Sequence, residues 1–217
     1  AQAVESADTG GNASLLYLST TEVYSPGKAV DGSFNTVFGK GAGAALLDGG
    51  SGNVIFGKGA GAAITTGDNN VAIGLDALKT GDVAEEANIA IGKSAMELLN
   101  CGTNGSDNIA IGQGALKSGA ATTVTGCIAI GDSALDDTDT NNHTGTIAIG
   151  LNALTACTSG TNNTVVGSNG AAALATGGNN TVMGFNALDA ADGAEADNTA
   201  IGNECMGALN HDTSLKN

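Results

Sequence analysis

Tryptophan and arginine are absent from this 217-residue chain, proline occurs once, and aromatic residues make up 3% of it. With so few rings, a wide core built on large aromatics is excluded. The core must be thin and made of Ile, Val, Leu and Ala. Seven lysines face 22 acidic residues, for a net charge of −15. Binding to nucleic acid or to an anionic membrane surface through phosphate neutralisation is therefore not expected. No apolar run reaches the ~18 residues of a membrane span, so no direct membrane insertion is expected. The acids gather between apolar segments: Asp82, Glu85 and Glu86; Asp136, Asp137 and Asp139; Asp192, Glu195 and Asp197. They read as a solvated face that keeps a repetitive object soluble. The first residue is Ala1 rather than Met, which reads as a processed or trimmed N-terminus.

What is abundant is glycine, 35 residues of it, and it is periodic. One phrase recurs ten times between residues 35 and 209: Asn, three apolar or Thr residues, Gly, two variable residues, Ala, and usually Leu. Clear copies are Asn88-Ile-Ala-Ile-Gly92 and Asn108-Ile-Ala-Ile-Gly112-Gln-Gly-Ala-Leu116. The repeat glycines are Gly39, Gly57, Gly74, Gly92, Gly112, Gly131, Gly150, Gly167, Gly184 and Gly202, spaced by 17 to 20 residues. One strand-like run per unit at such a period predicts an all-β fold, a parallel β-solenoid of ten coils. At the spacing of neighbouring strands it would stand roughly 45–50 Å tall. Residues 1–34 lie outside the repeat and read as an N-terminal cap or attachment segment, with strand-like Leu15–Leu18 and Val23–Tyr24. Residues 210–217 form a polar C-terminal tail.

The columns of the repeat carry the physical argument. Four residues before Gly stands Asn in eight copies: Asn35, Asn53, Asn70, Asn88, Asn108, Asn163, Asn180 and Asn198. Stacked coils would place these amides above one another as a hydrogen-bonded ladder; turn chemistry at a coil corner is the plainer reading. The residues three and one before Gly are expected to face the interior. The column between them is then expected to face outward: Val37, Ile55, Ala72, Ala90, Ala110, Ala129, Ala148, Val165, Val182 and Ala200. It has no polar member, whereas a solvated face alternates to polar. Those ten residues are therefore the expected interface of a homo-oligomer. After Gly, the chain is expected to return as a short outer strand or one helical turn. The recurrence of Gly itself marks a corner of positive φ or one too tight for a Cβ.

Cys101, Cys127, Cys157 and Cys205 occupy four different phases of the repeat and do not read as a disulfide framework. Cys127 replaces the usual Asn and Cys205 the usual Ala, as small buried substitutes.

The Asn-Val-Ala-Ile-Gly and Asn-Ile-Ala-Ile-Gly units resemble the head repeats of trimeric autotransporter adhesins. The longer Asn-x-Ala-Ile-Gly-x-x-Ala-Leu form resembles repeats of phage tail fibres. The likeness spans residues 35–209. It implies a left-handed β-roll and a homotrimer. The period here is longer than that of the adhesin heads, and coiled-coil stalk and anchor regions are absent from this sequence.

The expected function is a non-enzymatic structural or attachment module of a fibre, either a viral tail fibre or a cell-surface adhesin head. It would be extracellular, at the virion or cell surface. Its partners would be copies of itself and a host-cell surface or glycan receptor met by variable loops such as Leu135–His143 and Leu188–Asp197. Three alternatives have weaker support. A calcium solenoid would use Asp136, Asp137, Asp139 and Asn141; otherwise no metal or cofactor is expected. An ice-binding solenoid would use Thr164, Thr181 and Thr199, which the expected orientation turns inward. A polysaccharide depolymerase would need paired carboxylates, for which Asp76 and Asp132 are the nearest candidates. His143 and His211 read as solvated loop residues.

Overall fold

The computed structural model describes residues 3–4, 16–17, 34–46, 50–80, 86–99, 105–117, 123–136, 143–189 and 195–207. Among them every regular element is a β-strand. Strands β1 (Ala3–Val4) and β2 (Leu16–Tyr17) pair antiparallel. Each repeat unit then gives one three-residue strand: β3 (Thr36–Phe38), β4 (Val54–Phe56), β5 (Val71–Ile73), β6 (Ile89–Ile91) and β7 (Ile109–Ile111). The series continues with β9 (Ile128–Ile130), β11 (Ile147–Ile149), β12 (Thr164–Val166), β13 (Thr181–Met183) and β14 (Thr199–Ile201). These ten form one parallel sheet in sequence order. Two more, β8 (Val124–Thr125) and β10 (His143–Thr144), pair parallel as a second small sheet. The chain is a parallel β-solenoid, as the period predicts.

Register is strict. Ile89, Ala90 and Ile91 face Ile109, Ala110 and Ile111 across β6 and β7, and every neighbouring pair repeats the pattern. The corner glycine holds this register. Gly92 has φ +134°, and a Cβ there would collide with the carbonyl oxygen of Gly112 in the next unit.

The strand faces are the reverse of the expectation. Ile55, Ala72, Ala90, Ala110, Ala129, Ala148, Val165, Val182 and Ala200 are buried inside the single chain, and Val37 packs half-buried against the same core. The residues before and after them point outward. None of these ten side chains is therefore available as an oligomer interface.

The stretch after Gly is neither strand nor helix. Positive φ alternates along it: Gly92 at +134°, Ser94 at +58° and Met96 at +50°. The alternation aims backbone groups along the solenoid axis, so Leu78 N–H donates to Ala95 O at 2.9 Å and Met96 N–H to Ala115 O at 3.0 Å. The residue four after Gly is buried in Leu78, Met96, Leu116, Leu135, Leu154 and Leu188, the five leucines at φ +48° to +53°. A left-handed conformation costs about 1–2 kcal/mol, and burying such a side chain contributes about 1.5–3 kcal/mol. The column contains Gly, Ala, Leu and Met, with no Val or Ile, because a β-branched residue is far more strained at positive φ.

Candidate functional site

The buried Asn column forms the predicted ladder. Asn53 N–H and Nδ2 both donate to Asn35 Oδ1, at 2.8 and 3.0 Å. Asn70 repeats this on Asn53 at 2.9 and 3.1 Å, and Asn108 on Asn88 at 3.0 and 3.1 Å. The second Nδ2 hydrogen reaches a backbone carbonyl of the next unit, as in Asn108 to Val124 O at 2.8 Å. The left-handed residue is the one before the ladder, as in Asn69 and Asn162 at φ +58° and +56°. These exposed positions carry a looser ladder of their own: Asn162 to Asn179 at 3.4 Å and Asn179 to Asp197 at 3.2 Å.

Cys127 and Thr146 interrupt the buried ladder. Cys127 N–H still donates to Asn108 Oδ1 at 3.0 Å, and Thr146 Oγ1 donates to Gly160 O at 3.3 Å. His143 lies beside this break and is fully buried, which corrects its reading as a solvated loop residue. Its column, seven before the repeat Gly, is usually Gly, as at Gly50, Gly67, Gly105, Gly160 and Gly177. Val124, His143 and Glu195 depart from that Gly and are each buried; the units before them carry Gly119, Thr138 and Ala191 seven after the repeat Gly, where several others carry Leu or Ile. Glu195 is 6% exposed and is thus not part of a solvated acidic face. His143 Nε2 lies 3.0 Å from Thr158 O, while Nδ1 is buried without a partner. Burial lowers the His143 pKa, and it raises those of Cys127 and Cys157, the latter to about 11. Cys127, Cys157 and Cys205 are free thiols, and Cys101 lies outside the described residues.

The calcium candidates are only partly described: Asp136 is half-buried, while Asp137, Asp139 and Asn141 lie outside the described residues, as does His211. Among the described residues no group of three acidic, His or Cys side chains could hold a metal ion. Asp76 and Asp132 belong to β5 and β9 units, three inter-strand steps apart. That axial distance is about 14 Å, beyond the roughly 5–9.5 Å of glycosidase carboxylate pairs. Asp76 is instead bound to Lys79 at 3.5 Å.

The outward sheet face is a coherent surface feature that runs the length of the ten-stranded sheet. One column on it is Phe38, Phe56, Ile73, Ile91, Ile111, Ile130, Ile149, Val166, Met183 and Ile201. The other begins and ends with Thr (Thr36; Thr164, Thr181 and Thr199) around six Val and Ile residues. Neither contains a charge. Phe38 and Phe56 stack at 5.4 Å between centroids, and Ile201 is 62% exposed.

No family model, curated protein or solved structure matches the chain.

The face is about 45 Å tall and 10 Å wide by strand geometry, roughly 450 Å². That lies within the range of the largest apolar patch on an ordinary monomer, about 300–600 Å², a size that often marks a functional surface. Leu75, Leu151 and Phe185, each exposed just past a corner glycine, extend it along one side. The sequence contains the signal that orients the strand correctly. Units with Gly or Ala four after the corner carry a large residue at the strand centre (Val37, Ile55, Val165), and most units with Leu or Met there carry Ala. Two columns that trade volume share one core.

Proposed function

We propose that this chain is a non-enzymatic structural or attachment module of a fibre, a viral tail fibre or the head of a cell-surface adhesin. In this reading it works outside the cell, as a homotrimer joined through its outward sheet face. The single observation that carries the reading is that face: two uncharged, largely aliphatic columns in strict register along ten strands. Such a surface is costly to leave in water and flat enough to meet a copy of itself. The resemblance of the repeats to adhesin heads and tail fibres supports three copies and a left-handed coil. Backbone hydrogen bonds along the axis and the buried Asn ladder suit a part that must withstand pulling and proteolysis. Recognition of a host-cell surface or glycan is assigned to the variable connections between repeat units.

The experiment is the solution mass of the purified chain together with that of a face variant, Ile130→Asp. The reading requires an oligomer for the parent and a folded single chain for the variant. A parent that runs as one chain would remove its basis.

Ice binding is the second reading, favoured by one observation: Thr164, Thr181 and Thr199 face outward in neighbouring strands. This removes the orientation argument against it. The aliphatic middle of the face is a poorer match to an ordered hydroxyl array. Thermal hysteresis of the parent at millimolar concentration decides it, and its absence eliminates this reading.

A further inference from the structure

Two residues after each corner glycine, the units from β5 onward carry a side chain: Asp76, Ser94, Ser133, Asn152, Asn169, Asn186 and Glu204. Gly114 is the exception. Its missing side chain leaves a notch of about 160 Å³ between Ser94 and Ser133. A Cβ at Gly114 would stand 3.7 Å from Ser133 Oγ and 3.8 Å from the Asp136 carboxylate. Lys93, Gln113, Lys117 and Asp136 complete the lining of the notch. Among the described residues, Lys79 pairs with Asp76 and Glu97, and no described carboxylate pairs with Lys93 or Lys117. Two of the seven lysines in a chain of net charge −15 thus converge on one concavity.

We infer that the Gly114 notch is a binding site for a carboxylate-bearing saccharide unit, a uronic or sialic acid. The notch is small and half open to solvent, so it would seat one face of a single sugar residue. The two ammonium groups supply point charges for an anion. The serines, Gln113 and Asp136 supply the donors and acceptors that sugar hydroxyls need. Asp136 would repel the charge of any anion, so the anionic group of the ligand has to lie nearer the lysines and another part of it nearer Asp136. This favours a ligand that carries hydroxyl donors as well as negative charge. None of the lining residues belongs to the two outward sheet columns, so association through the sheet and occupancy of the notch use different side chains. This inference rests on the attachment-module reading and names the ligand class that such a module would meet.

The repeat supplies substitutions compatible with its backbone. Ser94 and Ser133 adopt φ +58° and +52° in the column where Gly114 has +63°, so Gly114→Ser fills the notch without strain. Lys93→Gln places there the residue that Gln113 provides one unit on. The test is titration of the full chain with N-acetylneuraminic acid and with glucuronic acid by saturation-transfer NMR. Galactose and glucose serve as comparison ligands, and inorganic phosphate, which has no C–H protons, is read by its competition with the acid's signal. The parent should bind one of the acids in the millimolar range, and the neutral sugars and phosphate at least tenfold more weakly. Gly114→Ser and Lys93→Gln should each weaken the acid at least tenfold. Absence of acid binding by the parent, equal binding by Gly114→Ser, or equal binding of phosphate would each overturn the inference. Light-scattering masses of the same samples separate the two ideas: an intact oligomer without binding removes only the notch, while a single-chain mass removes the module reading.

Discussion

Ile55 and Gly61 share one space. The Cδ1 of Ile55 lies 3.0 Å from where a Cβ on Gly61 would stand, and the Cδ1 of Ile64 lies 3.1 Å from it. One unit on, Ala72 and Leu78 divide the same volume the other way. Gly61→Leu alone should destabilise by about 1–3 kcal/mol through overpacking. Ile55→Ala alone should cost about 2–5 kcal/mol through the cavity it leaves. The double variant takes on the Ala72 and Leu78 pairing while keeping Ile64, where that unit has Gly81, and should recover part of the loss of either single variant. A double-mutant cycle by denaturant unfolding measures the coupling, and additive losses would show that the two positions do not share a core.

The amide ladder gives a second expectation. Asn108→Ala strips a buried partner from Cys127 N–H and from Val124 O. Leaving such groups unsatisfied should cost about 2–3 kcal/mol. Asn162→Ala, in the exposed ladder, should cost under about 0.5 kcal/mol, because Ala87 already adopts its φ of +56°. Comparable losses at the two sites would mean that burial does not govern the ladder.

His143 gives the structure an acid response. Its pKa is lowered in the folded chain by burial, from an ordinary 6.5. Between the lowered folded value and 6.5, the unfolded chain binds the extra proton. Stability from this residue is therefore complete above about pH 6.5 and falls as the medium is acidified. His143→Val, which places there the residue that Val124 supplies in the same column, should flatten the change in melting temperature between pH 7.5 and 5.5. An unchanged pH slope would place the acid sensitivity elsewhere.

The strand centre and its neighbour separate folding from assembly. Ala110 is fully buried, and Ile111 beside it is 37% exposed. Ala110→Asp would bury an unpaired carboxylate, which should melt the neighbouring units and lower or abolish the thermal transition. A fully folded Ala110→Asp chain would contradict the strand orientation.

Much of this architecture is legible in the sequence because it is set by local, repeated chemistry. The strand centres, the Gly corner and the Asn ladder all follow from one period. The face assignment is not legible from alternation alone, because both faces of these strands are apolar. In a narrow coil, the inward residue is small when Leu78 or Leu116 fills the interior from the turn, so the larger residues end up outside. The left-handed backbone that aims those leucines inward is not what Leu ordinarily adopts, and nothing in its type announces it. The burial of His143 escapes the sequence for a related reason: a polar residue in a Gly column looks like loop, and Thr138 in place of a Leu or Ile in the preceding unit is a weak cue. The notch at Gly114 is visible in the sequence only as one Gly among 35.

Whether the outward face joins copies of the chain is read from the light-scattering mass of the parent beside that of Ile111→Asp. A parent near three times the 20.9 kDa chain is expected, with the variant at one chain mass and unchanged strand content by circular dichroism. A parent at 20.9 kDa, or a variant that keeps the full multiple, would contradict assembly through this face.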